Sequence, residues 1–99
     1  MSKRSLPPLS DEELENICNI AEEAARKYVI SRVPKEMISD LTISVDVEEK
    51  SKALNVDVDV EVKLSPLYRK VNVKEIAEGS VDAAFRAVEK YLSKFRSQQ

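Results

Sequence analysis

The fold is decided by residues 41–64, which read LTISVDVEEKSKALNVDVDVEVKL. Apolar and polar residues alternate through both halves of this stretch, and successive side chains of a strand point to opposite faces. The pattern therefore predicts one antiparallel β-hairpin with an apolar face and a wet face. β-Branched residues dominate the apolar positions, as is typical of a half-buried pleated surface.

The apolar positions also predict how the two strands pair. A turn centred on residues 50–51 keeps every apolar residue on one face, whereas a slip by one residue would expose a whole set. The turn lacks the Asn-Gly or Asp-Gly that a tight primed turn requires, so we expect a looser loop over residues 49–52. The predicted pairs are Val47 with Leu54, Val45 with Val56, Ile43 with Val58 and Leu41 with Val60.

Helix signals flank the hairpin on both sides. Ser10 and Glu13 form a capping-box signature, and the helix that follows should stop near Arg32, shortly before a proline. Asn72 is the expected N-cap of a second helix that runs to about residue 96. Two strands are not stable alone, so both helices should cover the apolar face.

These elements predict an α+β fold of order α-β-β-α, an antiparallel hairpin with two helices packed on its single apolar face. We expect one domain over residues 10–97, preceded by a flexible basic arm over residues 1–9 that contains a Pro-Pro pair.

Composition argues against most catalytic and cofactor-binding sites. The chain has one glycine and no histidine, which excludes phosphate-binding loops and the commonest general base and metal ligand. One cysteine excludes an internal disulfide, and no apolar run approaches the roughly 20 residues of a bilayer span. We therefore expect a cytoplasmic protein that is not an enzyme and has no cofactor or metal. A charged fraction of 34% is typical of thermophile proteins.

Two sets of residues could still carry chemistry, and for each we favour the structural interpretation. Cys18 could be a nucleophile, but it lies in the apolar stripe of helix 1 with no histidine to activate it. Acidic residues on the wet face could hold a hard cation or act as acid and base. An open sheet face excludes no water, so we expect a solvated face that resists aggregation. These acidic residues are Asp46, Asp57, Asp59 and Glu61.

Two features predict a protein partner. Both edges of a two-stranded sheet leave backbone groups unpaired, so another element or another chain should cover them. Helix 2 also carries a strip of small residues where a second backbone could approach closely, provided that the helix continues through its glycine, as we expect, rather than breaking there. The strip consists of Gly79, Ser80, Ala83 and Ala87.

The segment before helix 2 offers an alternative, a contact with RNA. It combines an aromatic ring, cations and backbone N–H groups at a helix N-terminus, which suit phosphates and bases. The charges are few, so a charged connector is the favoured interpretation. The candidate RNA-contact residues are Tyr68, Arg69, Lys70 and Lys74.

An acidic hairpin that runs into the helix VDAAFRAVEKYLSKF, residues 81–95, resembles a small uncharacterised archaeal domain family. More distantly, it is similar to the small dimerising subunit of the KEOPS complex, which makes threonylcarbamoyladenosine in tRNA. The similarity covers about Asp40 to Phe95, and that subunit has an additional first strand, β-α-β-β-α. The resemblance implies a non-catalytic subunit that joins its sheet to that of a related chain. It is carried by Ala83-Ala84, Tyr91-Leu92 and Phe95.

Three functional hypotheses follow from the sequence. The first is a non-catalytic interaction module that forms a homodimer, or a heterodimer with a related small subunit, through a sheet edge or helix 2. Its specific form is an accessory subunit of the KEOPS tRNA-modifying assembly. The second is a stand-alone small RNA-binding protein. The third is an enzyme or metal protein that uses the acidic face.

Overall fold

The computed structural model describes residues 9–50 and 53–97, without the side chains of Lys50 and of residues 95–97. The order α-β-β-α and the α+β class are confirmed. The predicted arm over residues 1–9 lies outside the described residues except for Leu9. No helix in the described part is long and apolar enough to cross a membrane. The elements are α1, Asp11–Arg32; a 3₁₀ turn, Lys35–Met37; β1, Ile38–Lys50; β2, Ala53–Leu64; and α2, Val73–Ser97.

The boundaries of α1 follow its local sequence. The Ser10 hydroxyl accepts from the Glu13 backbone N–H at 3.1 Å, and the Glu13 carboxylate accepts from the Ser10 N–H at 2.8 Å. This reciprocal pair is the predicted capping box. The helix ends at Arg32, as predicted, because Pro34 cannot continue it.

The two strands pair along their whole length, but not in the predicted register. Val47 lies opposite Val56, and Ile43 lies opposite Val60. The predicted turn and the predicted loose loop are therefore both wrong, since only residues 51–52, which lie outside the described residues, separate β1 from β2. The register differs by two residues, which keeps every apolar side chain on the same face. For this reason the apolar pattern could not distinguish the two registers.

Both helices pack on the apolar face of the hairpin, α1 over β1 and α2 over β2, and they contact each other. The helices are antiparallel, because Ile17 near the start of α1 shares a cluster with Val88 near the end of α2. α2 continues through Gly79 without a break, as expected. The buried apolar residues form two clusters, the first of Ile17, Ala21, Ala25, Ala84 and Val88 and the second of Val29, Val33, Val62 and Ile76.

Candidate interaction surface

The apolar face of the sheet is only partly covered by the two helices. Val62 is the one strand residue of the described chain that is buried, and the rest of the core belongs to the helices and to Val33. The centre of the core therefore lies between α1 and α2, and the apolar layer of the sheet forms its margin. Half-buried strand residues on this face are Leu41, Ile43, Val45, Val47, Leu54, Val56, Val58, Val60 and Leu64.

This partial burial has a geometric reason: the apolar side chains of each strand have a helix above them, but within the described residues no neighbouring strand on their outer side. Packed helices lie roughly 8–10 Å apart, whereas neighbouring strands lie about 4.8 Å apart. The helix layer is therefore about twice as wide as the sheet, so from these spacings we expect each helix to extend past the outer edge of the strand beneath it. In the described part of the chain the sheet has two strands, so neither outer edge has a strand partner. The candidate surface consists of these two edges and the helix flanks that overhang them.

The outer face of the sheet is exposed and acidic. Asp46 lies directly opposite Asp57, a like-charge pair across the strands that is unfavourable. Asp59 and Glu61 lie opposite uncharged residues, and Lys63 faces Asp40 at the open end. Among residues 9–50 and 53–97, no three acidic or cysteine side chains converge to hold a metal ion. This face can therefore select a partner by charge, because its carboxylates are accessible from solvent.

Cys18 is a half-buried free thiol on α1. Burial raises the pKa of the Cys18 thiol above its ordinary value of 9.0, and the carboxylates of Asp46 and Glu15 raise it further. The effect is opposite to the one that activates nucleophilic cysteines. The thiol is therefore neutral near pH 7, which suits a packed side chain.

A disulfide-exchange reagent should measure this shift directly. We expect the reaction of Cys18 to be slow at pH 8 and its rate to keep rising as the pH passes 9.0, because the thiolate forms only above the raised pKa. Asp46→Asn should accelerate the reaction at pH 8, because a carboxylate that raises the pKa of Cys18 is removed, and Asp57→Asn on the neighbouring strand should not. A rate that levels off below pH 9 would contradict the raised pKa. Since the folded pKa lies above the unfolded one, the associated stability is present at neutral pH and is lost only in alkaline solution.

The small-residue strip of α2 contacts α1 of the same chain. A methyl group at Gly79 would overlap the ring of Tyr28. Ser80 is completely buried, and its hydroxyl donates to the Ala77 carbonyl at 2.7 Å. Tyr28 of α1 therefore already lies against Gly79, and the contact of Gly79 and Ser80 with a partner chain stays a prediction. Ala83 and Ala87 are half-buried, and their contact with a partner stays a prediction.

The four candidate RNA-contact residues differ in exposure. Tyr68 is half-buried and packs against the second core cluster. The Arg69 Nε donates to the Pro66 carbonyl at 3.3 Å. Lys70 and Lys74 are exposed. A contact between these residues and RNA stays a prediction.

A cleft of about 270 Å³ lies where the end of α1 meets the start of α2. Lys70 lines it together with Arg32, whose guanidinium lies 4.7 Å from the centroid of the Tyr28 ring. Tyr28 and Arg32 are the two α1 residues that line this cleft. They were not predicted from the sequence, because they reach the cleft only through the antiparallel packing of the helices. Glu75 also lines the cleft, so its charges are mixed.

Two of the backbone N–H groups at the start of α2 that were expected to contact phosphates already have a hydrogen-bond acceptor. The Asn72 side chain accepts from the backbone N–H of Lys74 at 2.9 Å and of Glu75 at 3.3 Å. This confirms Asn72 as the N-cap of α2 and leaves fewer donors for an anion than the sequence suggested.

Comparisons with solved structures place the fold among archaeal proteins. The solution structure of the hypothetical protein mth677 from Methanothermobacter thermautotrophicus superposes with a TM-score of 0.79 at 31% identity, covering 94% of this chain and 99% of that one. A crystal structure from Thermococcus onnurineus NA1 gives a TM-score of 0.77 at 24% identity, covering 97% of this chain and 91% of that one. The second likeness shows the fold alone.

Sequence comparisons give the same picture. The uncharacterized protein PF0383 of Pyrococcus furiosus is 28% identical over 94 residues, which is 95% of this chain and 83% of that protein. The uncharacterized protein PH0533 of Pyrococcus horikoshii is 28% identical over 89 residues, which is 90% of this chain and 75% of that protein. Residues 6–91 match the family described as "Protein of unknown function (DUF3194)". The chain therefore belongs to the DUF3194 family, whose matched relatives are archaeal.

Proposed function

We propose that this chain is a non-catalytic interaction module that extends its sheet by pairing with a strand of another protein chain. One observation carries the proposal: the helix-facing side chains of both strands stay half-buried, apart from Val62, although two helices cover that face. A third strand beneath an overhanging helix would bury more of this apolar layer. It would also satisfy the backbone groups of a free edge, which is how sheet edges bind extended partners.

Hydrogen exchange and sedimentation equilibrium together test this proposal. In the assembled native state we expect slow exchange at alternate amides on the outer edge of one strand, and fast exchange at the same amides in the isolated monomer. The amides that bond β1 to β2 are a control within the same strands, since they should be protected in both states. If the outer-edge amides of both strands exchange freely in the native assembly, the proposal is wrong.

In its most specific form, the proposal makes the chain an accessory subunit of the KEOPS tRNA-modifying assembly. The resemblance over about Asp40 to Phe95 and the open sheet edges support this form. The same exchange measurement, repeated after mixing with purified subunits of that assembly, tests it. If exchange at the outer-edge amides does not change after mixing, the chain is not a subunit of that assembly, and the general proposal of strand pairing is unaffected. Stand-alone RNA binding is the alternative, with Arg32 beside Lys70 in its favour and Glu75 in the same cleft against it.

A further inference from the structure

The two outer edges differ, and β1 has the features of a protected edge. Its register is interrupted by a bulge between Ile38 and Asp40. Near the turn, the Leu9 N–H donates to the Glu49 carboxylate at 3.2 Å. Bulges and charged side chains are the usual means by which an edge strand is kept from pairing.

The flank of α1 on the β1 side is also charged. Cys18 lies on this side of α1, since the carboxylate of Asp46 in β1 raises the pKa of its thiol. One and two turns later on the same side come Glu22 and Arg26, which form an ion pair at 2.7 Å. A third strand with apolar side chains that paired with β1 would therefore lie beside these two charged residues.

The β2 edge differs from the β1 edge. The extra residue of the bulge lies on β1, opposite the Leu64 end of β2, and beyond Lys74 and Glu78 at its start the flank of α2 beside β2 is apolar. Taking 3.6 residues per turn, Val81, Phe85 and Leu92 lie roughly 200–240° around α2 from Gly79, the residue that faces α1. Phe85 is 37% exposed, which is unusual for so large an apolar side chain. The overhang of α2 therefore offers an apolar cover for a third strand.

The charge that a third strand should carry follows from the outer row of β2, which is the set of side chains on the solvent-facing side of β2. Asp57, Asp59 and Glu61 are exposed at alternate positions, and none has a hydrogen-bond or ion-pair partner within the described residues. An added strand would place a side chain beside each of them. Lysine or arginine at those positions would be attracted, whereas aspartate or glutamate would be repelled.

A second copy of this chain meets that requirement poorly, because the same row holds three carboxylates and one cation, Lys63, which already faces Asp40. A twofold dimer through β2 is antiparallel, and it must keep the valines on the inner face. When the two acidic rows overlap in full, Asp59 meets its own copy and Asp57 meets Glu61. We therefore infer that β2 pairs with an edge strand of a different protein, which alternates apolar residues with lysine or arginine. This inference rests on the proposed function and names the edge and the partner's chemistry.

A nine-residue peptide of alternating lysine and valine is a direct probe, and a glutamate–valine peptide is its counterpart. At low salt the lysine peptide should slow exchange at the outer amides of β2 and not of β1, with affinity at least about tenfold higher than that of the glutamate peptide. High salt should reduce that difference. The variant Asp57→Asn, Asp59→Asn, Glu61→Gln should lose the preference.

A variant with the same change in net charge, Glu12→Gln, Glu15→Gln, Glu23→Gln on exposed positions of α1, should keep the preference. Equal binding of both peptides, slowed exchange on β1, or no slowed exchange on β2 would overturn the inference. If the chain alone formed a dimer with protected β2 amides, the cationic partner would be ruled out while the proposed edge pairing would stand.

Discussion

Replacing Ile17 with alanine is expected to lower the free energy of unfolding by about 3 kcal/mol. Ile17 is completely buried in the first core cluster, with Val88 of α2 in the same cluster. Removing its outer methyl groups forfeits their transfer free energy and leaves a cavity, which together cost about 2–5 kcal/mol for such a substitution. Small domains have only about 5–15 kcal/mol of stability, so the variant should be marginal. Urea denaturation measures the change.

Ile30→Ala is the matched control. It removes the same atoms from the same helix, but Ile30 is 39% exposed. Its cost should be clearly smaller than that of Ile17→Ala, because the Ile30 side chain is already partly in water and its removal leaves no closed cavity. Equal losses at the two positions would show that the core between the helices is not where the structure places it.

Replacing Gly79 with alanine is expected to lower the free energy of unfolding by up to about 2 kcal/mol. Helix propensity alone predicts the opposite sign, since alanine is better than glycine by about 1 kcal/mol inside a helix. The added methyl group, however, would overlap the hydroxyl and ring of Tyr28, and Arg32 stacks on that ring. Overpacking of this kind costs about 1–3 kcal/mol, which exceeds the gain in propensity.

The sign should reverse when Tyr28 is removed. In a Tyr28→Ala background, Gly79→Ala should raise the free energy of unfolding by about 1 kcal/mol, because only the helix propensity then changes. The two single variants and the double variant complete a double-mutant cycle that measures the contact. A stabilising effect of Gly79→Ala in the unaltered chain would show that Tyr28 does not pack against this position.

The alternation of residues 41–64 was sufficient to predict the hairpin, its two faces and the side on which the helices pack. It was not sufficient to predict the register. Moving the centre of the turn by one residue shifts the pairing by two, so that Val47 faces Val56 instead of Leu54, and every apolar side chain stays on the apolar face. Only a residue pair that specifies the turn, such as Asn-Gly, would have separated the two registers.

The close neighbour of Gly79 is the side chain of Tyr28 from α1 of the same chain, which the strip of small residues alone could not identify. Small residues indicate that something lies near, but they carry no information about which chain supplies it. The buried alanines of α1, Ala21 and Ala25, are the signal in the sequence that the two helices meet closely. The cleft beside Arg32 could not be predicted, because it joins residues that are distant along the chain.

The division of the core into two clusters has a consequence for motion. One cluster lies toward the hairpin tip and the other toward its open end, and within the described residues Val60 alone packs against both. Such units open with their own free energies, below that of global unfolding. The two halves of the core are therefore expected to open separately, and hydrogen exchange would show this as two groups of amides with different opening free energies.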